Sequence, residues 1–128
     1  MLATTPCIQT LSRFVPFEVL AQLEKQGNQP ISPRSDTFAG TVLFADISGF
    51  TSLSERLGKR GAVGVEELTQ TLNTYFGELI DIVISFGGDI VKFAGDALLA
   101  IWRVENDDIA KTVHAAAQCG ITAQQCLR

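Results

Sequence analysis

The chain has 128 residues, 46% of them hydrophobic, a mean hydropathy of +0.22 and a formal net charge of −4. That length suits one domain or part of one, and the apolar content argues against disorder. An acidic balance with no basic stripe gives no electrostatic ground for binding nucleic acid.

All four prolines, Pro6, Pro16, Pro30 and Pro33, fall in residues 1–38. These residues read as an N-terminal extension and linker ahead of a domain at 39–128. Within them Phe17 to Lys25, with Val19, Leu20 and Leu23 on one face, predicts a short helix. Gly27-Asn28-Gln29-Pro30 stops it, and residues 29–37 read as a turn-rich linker. From Gly40 to Asp46 a short apolar run predicts a buried strand. Ile47 to Thr51 is a turn, and Thr51 and Ser52 offer N-cap hydroxyls to a helix that ends at Gly58.

A longer helix is expected from near Gly64. Val65, Leu68, Leu72, Phe76, Leu79 and Val83 recur three or four apart along it, and Phe86-Gly87-Gly88 closes it. Two strand-like runs, Asp89 to Ala94 and Ala97 to Trp102, flank Gly95-Asp96 and predict a tight hairpin. Asn106-Asp107-Asp108 caps a last helix that is still running at Arg128. The order is β-α-α-β-β-α, an α/β sandwich begun and not finished, and the chain reads as truncated before further strands.

Cys7, Cys119 and Cys126 are odd in number and lack C-x-x-C spacing, so they suggest neither a zinc site nor a disulfide framework. They read as reduced thiols of a cytoplasmic protein. No apolar run approaches the roughly 20 residues that span a bilayer. The N-terminus also lacks the basic and apolar blocks of a secretory signal.

Two aspartates carry the chemistry. Asp46 ends the first strand and Asp96 occupies the hairpin turn. If the hairpin pairs beside that strand, both carboxylates project at one end of the sheet. Two unpaired carboxylates repel, so such a pair usually holds a cation. Oxygen ligation suits Mg²⁺, and a two-metal arrangement clamps the attacking and leaving oxygens of an in-line displacement. Taken singly, each aspartate is an ordinary turn residue. Between strand and helix, Ile47-Ser48-Gly49-Phe50-Thr51-Ser52 exposes backbone N–H groups that can cradle an anion.

Phe44 to Thr51 (FADISGFT) together with Phe86 to Trp102 (FGGDIVKFAGDALLAIW) resembles the class III adenylyl/guanylyl cyclases. The likeness covers about residues 38–128 and is nearest to the first catalytic domain of bicarbonate-responsive soluble adenylyl cyclases. It implies a ferredoxin-like α+β cyclase core. It implies an adenylate cyclase that converts ATP to cyclic AMP and pyrophosphate with two Mg²⁺ or Mn²⁺ ions per site. Asp46, Asp96 and the Ile47 carbonyl would be the metal ligands. The backbone of Ser48, Gly49, Phe50 and Thr51, with the Thr51 hydroxyl, would contact phosphates.

Lys92 has two readings under the resemblance: contact with the adenine base, or lining of a pseudo-site that takes bicarbonate. A lysine can only donate, which favours adenine N1 over the N1–H of guanine. A plain surface lysine is the bland alternative. Phe50 and Trp102 are expected in the core, with a pocket border as the alternative for Trp102; Asp89 is expected at the start of its strand, and His114 carries no assigned role. Gly87-Gly88-Asp89 also resembles diguanylate cyclases, but Ile90-Val91 stand where that family needs acidic and aromatic residues.

The family's later elements carry a transition-state asparagine and arginine, and its sites form between two catalytic domains. The resemblance therefore implies a paired domain, as a homodimer or a tandem pair, and an isolated chain without appreciable activity. The competing reading is a non-catalytic cyclase-like half that binds nucleotide or bicarbonate for a partner domain.

Overall fold

A computed structural model describes residues 12, 14–27, 30 and 32–127. The chain divides into two compact units, Met1–Phe38 and Ala39–Arg128. Cys7, Pro6, Asn28, Gln29 and Arg128, which figure in the readings above, lie outside the described residues.

In the first unit, helix α1 spans Phe17–Gln26. Gly27 ends it with φ +61°, its N–H donating to the Leu23 carbonyl at 3.2 Å. That left-handed stop is cheap only for glycine. Arg34 pairs with Asp36 at 2.9 Å, and Gln26 donates to the Pro30 carbonyl at 2.8 Å. No residue of α1 is buried.

The second unit runs β1 (Gly40–Asp46), α2 (Phe50–Gly58), α3 (Ala62–Ser85), β2 (Asp89–Ala94), β3 (Ala97–Arg103) and α4 (Ile109–Cys126). This is the β-α-α-β-β-α order expected. The strands form one antiparallel sheet in the order β1-β3-β2. β1 pairs with β3 from Gly40↔Arg103 to Asp46↔Ala97 without a break. β2 pairs with β3 as Ile90↔Ala100 and then Lys92↔Leu99, so Val91 is an irregularity in the ladder.

Helices α3 and α4 pack on one face of this sheet, and α2 packs on α3. Leu79 and Val83 of α3 meet Leu98, Ala100 and Trp102 of β3 and Ala116 and Cys119 of α4 in the buried core. Alternation along β1 follows from that one-sided cover: Thr41, Leu43 and Ala45 turn toward the helices, while Val42 and Phe44 stay 59% and 62% exposed. Gly64 lets α3 pass α2 closely, since a Cβ there would stand 1.8 Å from the Leu57 carbonyl oxygen.

Besides β1, which is covered on one face only instead of buried, and Phe50, which is half-buried outside the core cluster, three details depart from the sequence reading. α3 begins at Ala62, with Gly61 at φ +67° before it, rather than near Gly64. Val65 is 55% exposed, because the first turn of α3 packs on α2 through Gly64 instead of reaching the core. The third concerns the cap of α2. Gly49, at φ +79°, is the N-cap, and no side chain caps the helix. The helix begins at least two residues earlier than the hydroxyls suggest, so Thr51 and Ser52 fall inside the first turn, where their hydroxyls cannot serve as N-caps.

Candidate functional site

The register Asp46↔Ala97 decides the geometry at one end of the sheet. Asp46 is the last residue of β1, and Asp96 immediately precedes its cross-strand neighbour, so the two aspartates lie at the same sheet end. Gly95, at φ +66°, opens the two-residue turn between β2 and β3, the left-handed position that hairpin loops of this length need. Asp46 is exposed and Asp96 half-exposed. Neither carboxylate has a hydrogen-bond or ion-pair partner among the described residues.

Ile47, Ser48 and Gly49 link this strand end to α2. The Ile47 carbonyl accepts from the Phe50 N–H at 3.3 Å, which closes the turn and leaves the oxygen a second lone pair. With no side-chain cap on α2, the first-turn amides of Thr51 and Ser52 have no side-chain acceptor. Ser48, Gly49 and Thr51 are exposed, whereas Phe50 is half-buried beside the turn and outside the main core.

A cleft of about 490 Å³ opens beside β1. Asp46, Ile47, Ser48 and Tyr75 line it together with the apolar Leu43, Leu79 and Ala123. Tyr75, on α3, was not anticipated. Partial burial, and after it the neighbouring Asp46 charge, push its phenol above the ordinary tyrosine range. The signal was present in the sequence: Tyr75 falls three residues after Leu72 and four before Leu79, so its polar tip rides on the core stripe.

Lys92 is exposed on β2. Directly opposed residues share a face, so Phe44, Leu99 and Lys92 form one row across the open side of the sheet, one row in from Asp46 and Ala97. Lys92 and Asp46 form no ion pair among the described residues. Trp102 is 4% exposed in the core and donates its indole N–H to the Phe86 carbonyl at 2.8 Å. It also borders a second cleft, of about 360 Å³, at the opposite end of β3. His114 is exposed on α4.

Among the described residues no group of three or more His, Cys, Asp or Glu side chains could hold a metal ion. The protein's own contribution at this sheet end is two carboxylates and a carbonyl. That set does not make a closed zinc site, which needs four protein ligands. It fits a hard cation that completes its shell with water and phosphate oxygens, as Mg²⁺ does. Among the described residues no helix is long and apolar enough to cross a membrane.

Residues 34–126 match the family of the adenylate and guanylate cyclase catalytic domain. Over 94 residues the chain is 40% identical to adenylate cyclase type 10 of Oryctolagus cuniculus, covering 72% of this chain and 6% of that protein. Over 121 residues it is 34% identical to an adenylate cyclase of Anabaena cylindrica, covering 94% of this chain and 22% of that one. The crystal structure of the adenylyl cyclase CyaB from P. aeruginosa superposes with a TM-score of 0.58 at 38% identity, over 67% of this chain and 41% of that chain. The chain thus spans a small part of the length of these relatives, and it belongs to the adenylate and guanylate cyclase catalytic domain family.

Proposed function

We propose that this chain carries the metal-binding portion of an adenylate cyclase active site, which forms 3′,5′-cyclic AMP and pyrophosphate from ATP. One observation carries the reading: Asp46 and Asp96 are brought to the same sheet end by the Asp46↔Ala97 register, and no protein group neutralises either. Two carboxylates at one sheet end without a counter-charge suit a cation. Asp46, Asp96 and the Ile47 carbonyl would hold Mg²⁺ or Mn²⁺, two ions per site. When bound, these ions supply the positive charge that eases deprotonation of the ribose 3′-hydroxyl and steadies the departing pyrophosphate.

The remaining roles fall to the chain itself. The backbone of Ser48 to Thr51 and the Thr51 hydroxyl would contact the β- and γ-phosphates at the start of α2, where the Thr51 and Ser52 amides have no side-chain acceptor. This holds the α-phosphorus for in-line attack by the 3′-oxygen. The half-buried side chain of Phe50 anchors that turn. Lys92, exposed on the open side of the sheet, donates either to adenine N1 of a nucleotide whose metals sit on the partner domain or to a bicarbonate ion.

The open sheet face, with Val42 and Phe44 bare, supports pairing with a second cyclase domain, in a homodimer or a tandem arrangement. We place the reaction in the cytoplasm, where ATP is supplied. The isolated 128-residue chain is expected to form no appreciable cyclic AMP, because the donors expected on later elements are worth about 10²–10³ in rate each. In a full cyclase carrying this segment, Asp46→Ala and Asp96→Ala should each lower cyclic AMP formation by at least about 10²-fold. Turnover that survives either change refutes the metal assignment.

A further inference from the structure

We propose that Tyr75 is a positioning residue for the cation site, its hydroxyl orienting the Asp46 carboxylate when that carboxylate takes up a cation. The inference rests on the reading of Asp46 as a metal ligand and extends it to a side chain with no assigned role.

Three observations support it. Tyr75 and Asp46 line the same cleft, together with Ile47 and Ser48. The ring is held from behind by Phe76, edge-on at 5.6 Å, and Phe76 is held in turn by Phe93 at 5.5 Å. The hydroxyl has no hydrogen-bond partner among the described residues, so nothing competes for its proton. A phenol is an O–H donor at neutral pH.

A carboxylate has two oxygens. One given to a cation leaves the other to accept a bond, and such outer partners fix the orientation of the ligating one. Asp46 ends an edge strand and its carboxylate has no hydrogen-bond partner among the described residues, so a donor on α3 would restrain it. α3 is anchored through Leu79 and Val83 in the core, which makes it a rigid mount for that donor.

Tyr75 is the only tyrosine in the chain, so its signals are unambiguous. The full 128-residue chain is titrated with Mn²⁺, and broadening of the Ile47 and Ser48 amide resonances reads occupancy of this site alone. The isosteric Tyr75→Phe should raise the half-saturating Mn²⁺ concentration about ten-fold with the circular dichroism unchanged, the size usual for loss of an outer-shell partner. Diamagnetic Mg²⁺ should shift the single ¹³Cζ tyrosine resonance in the native chain and not in Asp46→Asn. If Asp46→Asn abolishes Mn²⁺ broadening while Tyr75→Phe matches the native chain, the positioning role falls and the metal reading stands. If Asp46→Asn binds Mn²⁺ like the native chain, or the native chain shows no saturable broadening, both fall.

Discussion

At the far end of β3, polar side chains are consumed by the fold. The Trp102 indole donates to the Phe86 carbonyl, the hydroxyls of Thr41 and Thr112 share a hydrogen bond at 2.8 Å, and Asp108 caps α4 by accepting from the Lys111 N–H at 3.1 Å. At the near end, Asp46, Ser48 and Asp96 have no such partners among the described residues, and Gly49 starts α2 without a side-chain cap. The same strand thus joins a satisfied end to an unsatisfied one. A polar group already bonded inside the fold stabilises it and is unavailable for anything else. A group left open contributes little to stability and is available to a ligand. The two ends should therefore respond oppositely to substitution.

The largest expected effect lies at the satisfied end. Trp102→Ala removes a buried ring from the core cluster and leaves the Phe86 carbonyl without its donor. It should lower the unfolding free energy by about 3–5 kcal/mol, read from urea denaturation. A loss below about 1 kcal/mol would mean that this end is not held by its polar and apolar packing, and the contrast would collapse.

Gly88→Ala probes the same end more gently. Its added Cβ would meet the Trp102 ring at 2.6 Å and a Val83 methyl at 2.7 Å, both on side chains fixed in the core. Overpacking of this kind costs about 1–3 kcal/mol. Thermal melts that leave the midpoint unmoved would show that the ring has room to retreat.

The two ends also differed in how far they could be read in advance. Strands and helices of the second unit were legible because one-sided burial writes itself into spacing, as with Leu72, Phe76, Leu79 and Val83. The Gly95-Asp96 turn was legible because a two-residue hairpin needs a residue that tolerates positive φ. The cap of α2 was not. Thr51 and Ser52 both offer hydroxyls, yet the left-handed φ of Gly49 sets where the helix begins. Val65 fits the periodicity as well as Leu68 does, yet it lies on a turn that packs on α2, a difference set by tertiary reach. At the candidate site, the two aspartates could be named from the sequence but not their register. Tyr75 went unnamed because its nearness to Asp46 is created by the packing of α3 against the sheet.

The smallest expected effect is the sharpest test of the comparison. Asp46→Asn and Asp96→Asn keep the side-chain shape and remove charge at an end where neither carboxylate has a protein partner. Two like charges near a water-exposed surface, taken about 8 Å apart, repel by about 0.5 kcal/mol. Either substitution should therefore leave stability unchanged or raise it by up to that amount, and 1 M salt should erase the gain. Mg²⁺ should reverse the ranking. A ligand that binds only the folded chain stabilises it in proportion to occupancy, so the native melting temperature should climb with Mg²⁺ while the two variants stay behind. A stability loss above about 1 kcal/mol in either variant without metal would show that these carboxylates are already engaged by the fold. The near end of β3 would then be a structural end like the other.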